Sequence, residues 1–162
     1  MARRTASPAS RTAPHILGGF ISTAAVDSVK DEMPTAVTID DSPLIRNQLR
    51  QILGGMGVTV VGQGSTGDQL QALYQEHRPD LVTLDIVMPG KDGVTAAVEL
   101  LREFPEARIV MCTSLTTRDK IVACQRAGVA HYLLKPFDAA RAAKVFRFVL
   151  DRVPGDAPKS PP

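Results

Sequence analysis

Cysteine is scarce in this chain: Cys112 and Cys124 are the only two among 162 residues. Two thiols make neither a disulfide framework nor a metal-binding set. Cys112 sits inside an apolar run and reads as a buried free thiol. No apolar stretch approaches the roughly 20 residues needed to cross a bilayer. Arg3-Arg4 opens the chain, yet His15-Ile-Leu-Gly-Gly-Phe-Ile21 is short and glycine-broken for a secretion signal. A reducing cytoplasm is the expected location. An excess of one charge is missing too, since the net charge is +2. The first 33 residues carry Arg3, Arg4, Arg11 and Lys30 against Asp27, Asp31 and Glu32, so the middle of the chain is also near neutral. That leaves no strong electrostatic case for nucleic-acid binding, and the lack of a long apolar run argues against membrane insertion. His15, His77 and His131 are the only histidines and form no Ser/His/Asp or Cys/His set. Gly62-Gln63-Gly64 lacks the rest of a phosphate-binding P-loop. No solenoid-type repeat is present.

What remains is a 44% hydrophobic chain long enough for one domain with an ordinary core. Its central stretch is Leu81-Val-Thr-Leu-Asp85-Ile-Val-Met-Pro89-Gly90. β-Formers lead into a carboxylate, and Pro89-Gly90 then forbids a central strand. Alone, Asp85 reads as a turn cap. Three further strand ends change that reading. Thr35–Ile39 runs into Asp40-Asp41, Arg108–Cys112 into Thr113-Ser114, and Ala130–Leu134 into Lys135-Pro136. Ligands of open parallel sheets bind at the carboxyl ends of the strands. Three carboxylates meeting there would repel one another, and Mg²⁺, a hard cation that prefers oxygen, would offset the repulsion. Lys135 offers a point charge and Thr113 a hydroxyl donor, both suited to phosphoryl oxygens.

Between these strands the spacing predicts helices. Ser42-Pro43 reads as N-cap and first helical residue, with Ile45, Leu49, Ile52 and Leu53 on one face and Gly54-Gly55 as the stop. Val58–Val61 is the second strand, and Thr66 with Gln69 forms a capping box for a helix that carries Leu70, Leu73 and Tyr74 inward. Arg78-Pro79 ends that helix. Val94, Ala97, Val98 and Leu101 mark the third helix, stopped by Pro105. Thr117 and Gly128 bound the fourth. Asp138 caps the fifth, with Ala142, Val145, Phe146 and Val149 inward and Pro154-Gly155 at its end. The result is βα five times, an α/β fold with a parallel sheet and helices on both faces. Residues 1–33 read as a flexible arm with helical spacing over 16–30, residues 34–152 as the domain, and residues 153–162 as a disordered Pro-rich tail.

Taken together, Ile39-Asp40-Asp41-Ser42-Pro43, Leu84-Asp85-Ile-Val-Met-Pro89 with Asp92-Gly93, Met111-Cys-Thr113-Ser114 and Lys135-Pro136-Phe137 resemble the receiver domain of two-component response regulators, of the stand-alone CheY (chemotaxis) type. The resemblance covers residue 34 to about 152. It implies a flavodoxin-like (βα)5 fold with strand order 2-1-3-4-5. It implies Asp85 as phosphoacceptor from a histidine kinase, and Mg²⁺ held by Asp40, Asp41, Asp85 and the main-chain carbonyl of Val87. Thr113 would be the switch hydroxyl, Lys135 the partner of a phosphoryl oxygen, and Tyr132 the rotating switch aromatic. Lys135-Pro136 is a cis bond in the family. The readout face would be the fourth helix, fifth strand and fifth helix, presented to a downstream protein such as a flagellar motor switch or motility protein. The chain is expected to be a monomeric signalling switch, with dimerisation on phosphorylation left open. Val87 is apolar where the family tunes phosphate lifetime, as does the position of Leu115. Arg141, Lys144, Arg147 and Arg152 form a mildly basic stripe, read as a solvated face.

Two other classes share some of these features. A pseudo-receiver would be a phosphorylation-independent interaction module, but the acidic, hydroxyl and lysine positions are all present. An aspartyl phosphohydrolase needs a general acid two residues after the nucleophile, where Val87 has no proton to donate.

Overall fold

The computed structural model describes residues 33–114, 118–129 and 131–152. The helical spacing over 16–30, the Thr117 cap, Leu115, the first residue of the fifth predicted strand (Ala130) and the tail from 153 lie outside these residues. The apolar runs form five strands: β1 (Thr35–Ile39), β2 (Thr59–Gly64), β3 (Leu81–Leu84), β4 (Ile109–Thr113) and β5 (His131–Leu134). They alternate with α1 (Pro43–Gly55), α2 (Leu70–His77), α3 (Gly93–Glu103), α4 (Arg118–Arg126) and α5 (Ala139–Leu150). All pairings are parallel and the strand order is β2-β1-β3-β4-β5, the expected flavodoxin-like arrangement.

Because side chains alternate along a strand, each strand feeds two cores. Val37, Ile39, Val82, Leu84, Ile109 and Met111 pack under α2, α3 and α4. Ala36, Leu81, Val110, Cys112 and Leu133 pack under α1 and α5, around Leu49, Leu53 and Phe146. Burial on both faces explains why the strands read as nearly continuous apolar runs.

The caps follow the sequence closely. Ser42 accepts from the Ile45 amide with Pro43 at the first helical position. Asp138 accepts from the Arg141 amide, and Asp92, not expected as a cap from the sequence, accepts from the Thr95 amide at the start of α3. Gly128 turns left-handed (φ +98°) after α4.

Four details differ from expectation. α1 runs through Gly54 and Gly55, and the left-handed residue is Gly57 (φ +80°), because a helix tolerates glycine but only a positive φ requires it. β2 extends to Gly64, with a bulge that pairs Val37 with Gly62 and leaves Val61 over; hydrogen bonding to β1 prolongs a strand where local propensity is poor. A 3₁₀ turn, Gly67–Gln69, precedes α2, and Gln69 Oε1 accepts from the amides of Ser65 and Thr66. In α3 the buried side chains are Ala96, Ala97 and Leu100, while Val94, Val98 and Leu101 are only partly buried.

Thr38 and Thr83 are register partners on adjacent strands, both 0% exposed. Neither hydroxyl has a hydrogen-bond partner among the described residues. An unpaired buried hydroxyl is costly, and valine keeps the branched shape without it. Thr83→Val is therefore expected to stabilise the domain by about 1 kcal/mol. A higher urea midpoint with an unchanged slope would show it. A lower midpoint would mean that the hydroxyl is satisfied in solution.

Candidate functional site

The main-chain ladder continues one residue past several strands. The Asp40 amide donates to the Gly64 carbonyl at 3.0 Å, that of Asp85 to Ile39 at 2.9 Å, and that of Lys135 to Thr113 at 2.9 Å. These bonds carry the polar residues off the carboxyl edge of the sheet with their backbones still fixed. Asp40 and Asp85 end adjacent strands, β1 and β3, from which the chain departs toward opposite edges of the sheet. That is the switch point at which open α/β sheets bind ligands.

Asp40, Asp41 and Asp85 each offer a carboxylate oxygen, and all three oxygens lie within 4.8 Å of one another. Asp40 is wholly buried and Asp85 nearly so, whereas Asp41 is exposed. Lys135 Nζ bridges the two buried acids, 2.6 Å from Asp40 Oδ2 and 3.0 Å from Asp85 Oδ2. The second oxygens are held by main-chain donors: Ser42 N–H to Asp40 Oδ1 at 2.9 Å, and Ile86 N–H to Asp85 Oδ1 at 2.7 Å. Burial pushes the Asp40 carboxyl above its usual range, against the lowering effect of the Lys135 and Ser42 hydrogen bonds. Burial pulls Lys135 down, but its hydrogen bonds to Asp40 and Asp85 outweigh that and hold the ammonium above its usual range. The site thus keeps a positive charge between two acids, with a third acid facing solvent.

Thr113 ends β4 on the same edge and is 1% exposed. Tyr132 pairs in register with Met111, two residues before Thr113, so both side chains belong to the face covered by α2, α3 and α4. The Tyr132 hydroxyl lies 3.2 Å from both the Ile121 carbonyl of α4 and the Val129 carbonyl. Burial raises its phenol. Val87 follows Asp85 by two residues and is half exposed. The Lys135–Pro136 peptide is cis.

Sequence reading passed over two residues here. Arg46 Nη1 donates to the Asp40 carbonyl at 2.6 Å, and Gln48 Nε2 to the Phe137 carbonyl at 3.2 Å. Arg46 stands four residues after the Ser42 cap, a spacing that could have placed it over the acid turn. Gln48 and Phe137 are 89 residues apart, and no local pattern links them.

The donor set is all oxygen, negatively charged in excess of Lys135, and part open to solvent. It fits a hard divalent cation.

Comparison with known proteins agrees with this geometry. The profile of the response regulator receiver domain matches residues 36–147. The chemotaxis protein CheY of Bacillus subtilis is 35% identical over 113 residues, covering 70% of this chain and 94% of that protein. The transcriptional regulatory protein PdtaR of Mycobacterium tuberculosis is 34% identical over 121 residues, covering 74% of this chain and 58% of that protein. Among solved structures, a CheX–CheY–BeF3–Mg²⁺ complex from Borrelia burgdorferi superposes with a TM-score of 0.70 at 27% identity, covering 74% of this chain and 90% of that one. With its 2-1-3-4-5 sheet and its acid cluster at the switch point, this chain belongs to the response regulator receiver domain family, of CheY-like type.

Proposed function

We propose that Asp85 accepts a phosphoryl group from a histidine kinase and that the chain signals by presenting an altered face to another protein. The observation that carries this reading is the Lys135 bridge across Asp40 and Asp85 beside the exposed Asp41. A carboxylate oxygen of Asp85 attacks phosphorus as the P–N bond of phosphohistidine breaks, and the imidazole leaves with the bonding pair and takes up a proton. The product is an aspartyl phosphate. Lys135 stands ready to pair with one of the equatorial oxygens over which charge spreads, and Thr113 supplies a hydroxyl. Asp40, Asp41, Asp85 and the Val87 carbonyl would hold Mg²⁺, which when bound neutralises charge developing on the transferred group. Phosphorylation replaces a charge near Lys135 by a larger one. That biases Thr113 and the Tyr132 latch on α4, a two-state element with its readout on α4, β5 and α5.

The downstream partner of this reading is a chemotaxis or motility protein, such as a flagellar motor switch, supported by the CheY relatives. The test is intact mass after incubation with acetyl phosphate and Mg²⁺, beside an Asp85→Asn control. One added phosphoryl group is expected in the native chain, none in the control and none without Mg²⁺. No gain in the native chain would favour a phosphorylation-independent interaction module. Equal gain in both chains would move the acceptor away from Asp85.

A further inference from the structure

We propose that Lys91 is a positioning residue for the divalent cation: it straps the loop between β3 and α3 so that Val87 is held ready beside the acids. This rests on the reading of the site given above. The loop leaves the sheet at Asp85 and re-enters regular structure at Gly93. Within it Val87, Pro89 and Gly90 are exposed, and only Ile86 and Met88 are buried. Such a segment has little of its own packing to hold it. Besides the Gly93 amide bond to the Ile86 carbonyl at 2.9 Å, Lys91 anchors the loop in two directions. Its ammonium lies 2.5 Å from Glu99 Oε2 on α3 and 3.8 Å from Asp68 Oδ1 on the 3₁₀ turn. Its amide donates to Asp68 Oδ2 at 3.3 Å, and its carbonyl accepts from the Gly67 amide at 3.2 Å. The approach is close enough that a Cβ on Gly67 would stand 2.4 Å from the Lys91 carbonyl oxygen.

The strap lies outside the acid cluster, so it acts on the population of the loop rather than on the ligands themselves. A ligand that needs an ordered loop binds with an affinity reduced by the fraction of loops that are ordered. Surface ion pairs add little to overall stability, so removing the lysine should leave the melting temperature nearly unchanged. The Mg²⁺ dependence is where the effect should appear.

The experiment is calorimetric titration with Mg²⁺ of the native chain, Lys91→Met, Lys91→Arg and Glu99→Gln, together with acetyl phosphate reactions across a range of Mg²⁺ concentrations. Lys91→Met and Glu99→Gln should need about three- to tenfold more Mg²⁺ for half-saturation, with the rate at saturating Mg²⁺ within about twofold of native. Lys91→Arg, which keeps the charge, should recover most of the affinity. Unchanged half-saturation in Lys91→Met, beside a native chain that binds Mg²⁺, would overturn the strap alone. A lower rate at saturating Mg²⁺ would overturn it too, because the residue would then act on the chemistry. A native chain that does not bind Mg²⁺ would overturn the reading of the site and the strap with it.

Discussion

Gly93→Ala is expected to destabilise the domain by about 3 kcal/mol and to lower its melting temperature by roughly 10 °C. Gly93 opens α3 directly beneath the end of β3. A Cβ built on it would lie 1.9 Å from the Asp85 carbonyl oxygen, 2.8 Å from the Asp85 carbonyl carbon and 3.0 Å from Ile86 Cα. All three neighbours are main chain, so no flexible side chain can swing away. Either α3 retreats from the sheet or the Asp85 peptide moves. The Gly93 amide donates to the Ile86 carbonyl at 2.9 Å, and the same displacement would weaken that bond. Backbone dihedrals are not the reason, because Gly93 has no positive φ. Gly54, inside α1, is a matched control: an added Cβ there meets nothing within 4 Å. Gly54→Ala should stabilise by about 0.5–1 kcal/mol through helix propensity. Thermal unfolding followed by circular dichroism reads both. If Gly93→Ala melted with the native chain, the close contact between α3 and Asp85 would be wrong.

The elements most legible in the sequence were those whose cause is local. Ser42-Pro43 and Asp138 cap their helices because a short acceptor before a helical run has one good use. The sheet order followed from resemblance rather than from periodicity, since βα repetition alone is compatible with more than one order. The misplaced details have non-local causes. Gln63 and Gly64 are poor strand residues, held in β2 by register with Thr38 and Ile39. The inner line of α3 takes in Ala96 and Leu100 beside the expected Ala97, while Val98 is only partly buried, a rotation set by packing against the sheet that hydrophobicity alone does not reveal.

The candidate site divides the same way. Its acids and Lys135 stand at strand ends, where an apolar run meeting a charge is visible in the sequence. Arg46, Gln48 and Lys91 act through carbonyls and acids contributed by other elements. Their partners are set by the packing of α1 and of the β3–α3 loop, so the residues look like ordinary surface polar positions until the fold is known.

Replacing Lys135 should produce a stability deficit that depends on pH and is relieved by a metal. Lys135→Met leaves Asp40 and Asp85, both buried, without the ammonium that lies 2.6 and 3.0 Å from them. Breaking a buried pair from one side strands the other charge, and the deficit at pH 7 should be about 2–4 kcal/mol. Asp40 is already raised by burial despite Lys135, and removing the lysine raises it further. A carboxyl whose folded pKa exceeds its unfolded one contributes stability that is fully present below the unfolded value, near 3.8, and is lost as pH rises through the folded pKa. The variant should therefore approach the native chain in acid and fall behind it as pH climbs toward neutrality. On the alkaline side the native advantage ends as pH rises through the raised pKa of Lys135. Mg²⁺ should act more strongly on the variant than on the native chain. In the native chain a dication must enter against the ammonium already placed between Asp40 and Asp85, two of the acids proposed to hold it. In Lys135→Met that opposition is gone, and half-saturation should come at about tenfold lower Mg²⁺, with a correspondingly larger gain in stability. Denaturant titrations from pH 3 to pH 9, with and without Mg²⁺, would measure both effects. A deficit that is the same at every pH would mean that Lys135 contributes packing rather than charge. Weaker Mg²⁺ binding in the variant would mean that the ammonium assembles the cation site instead of competing for it.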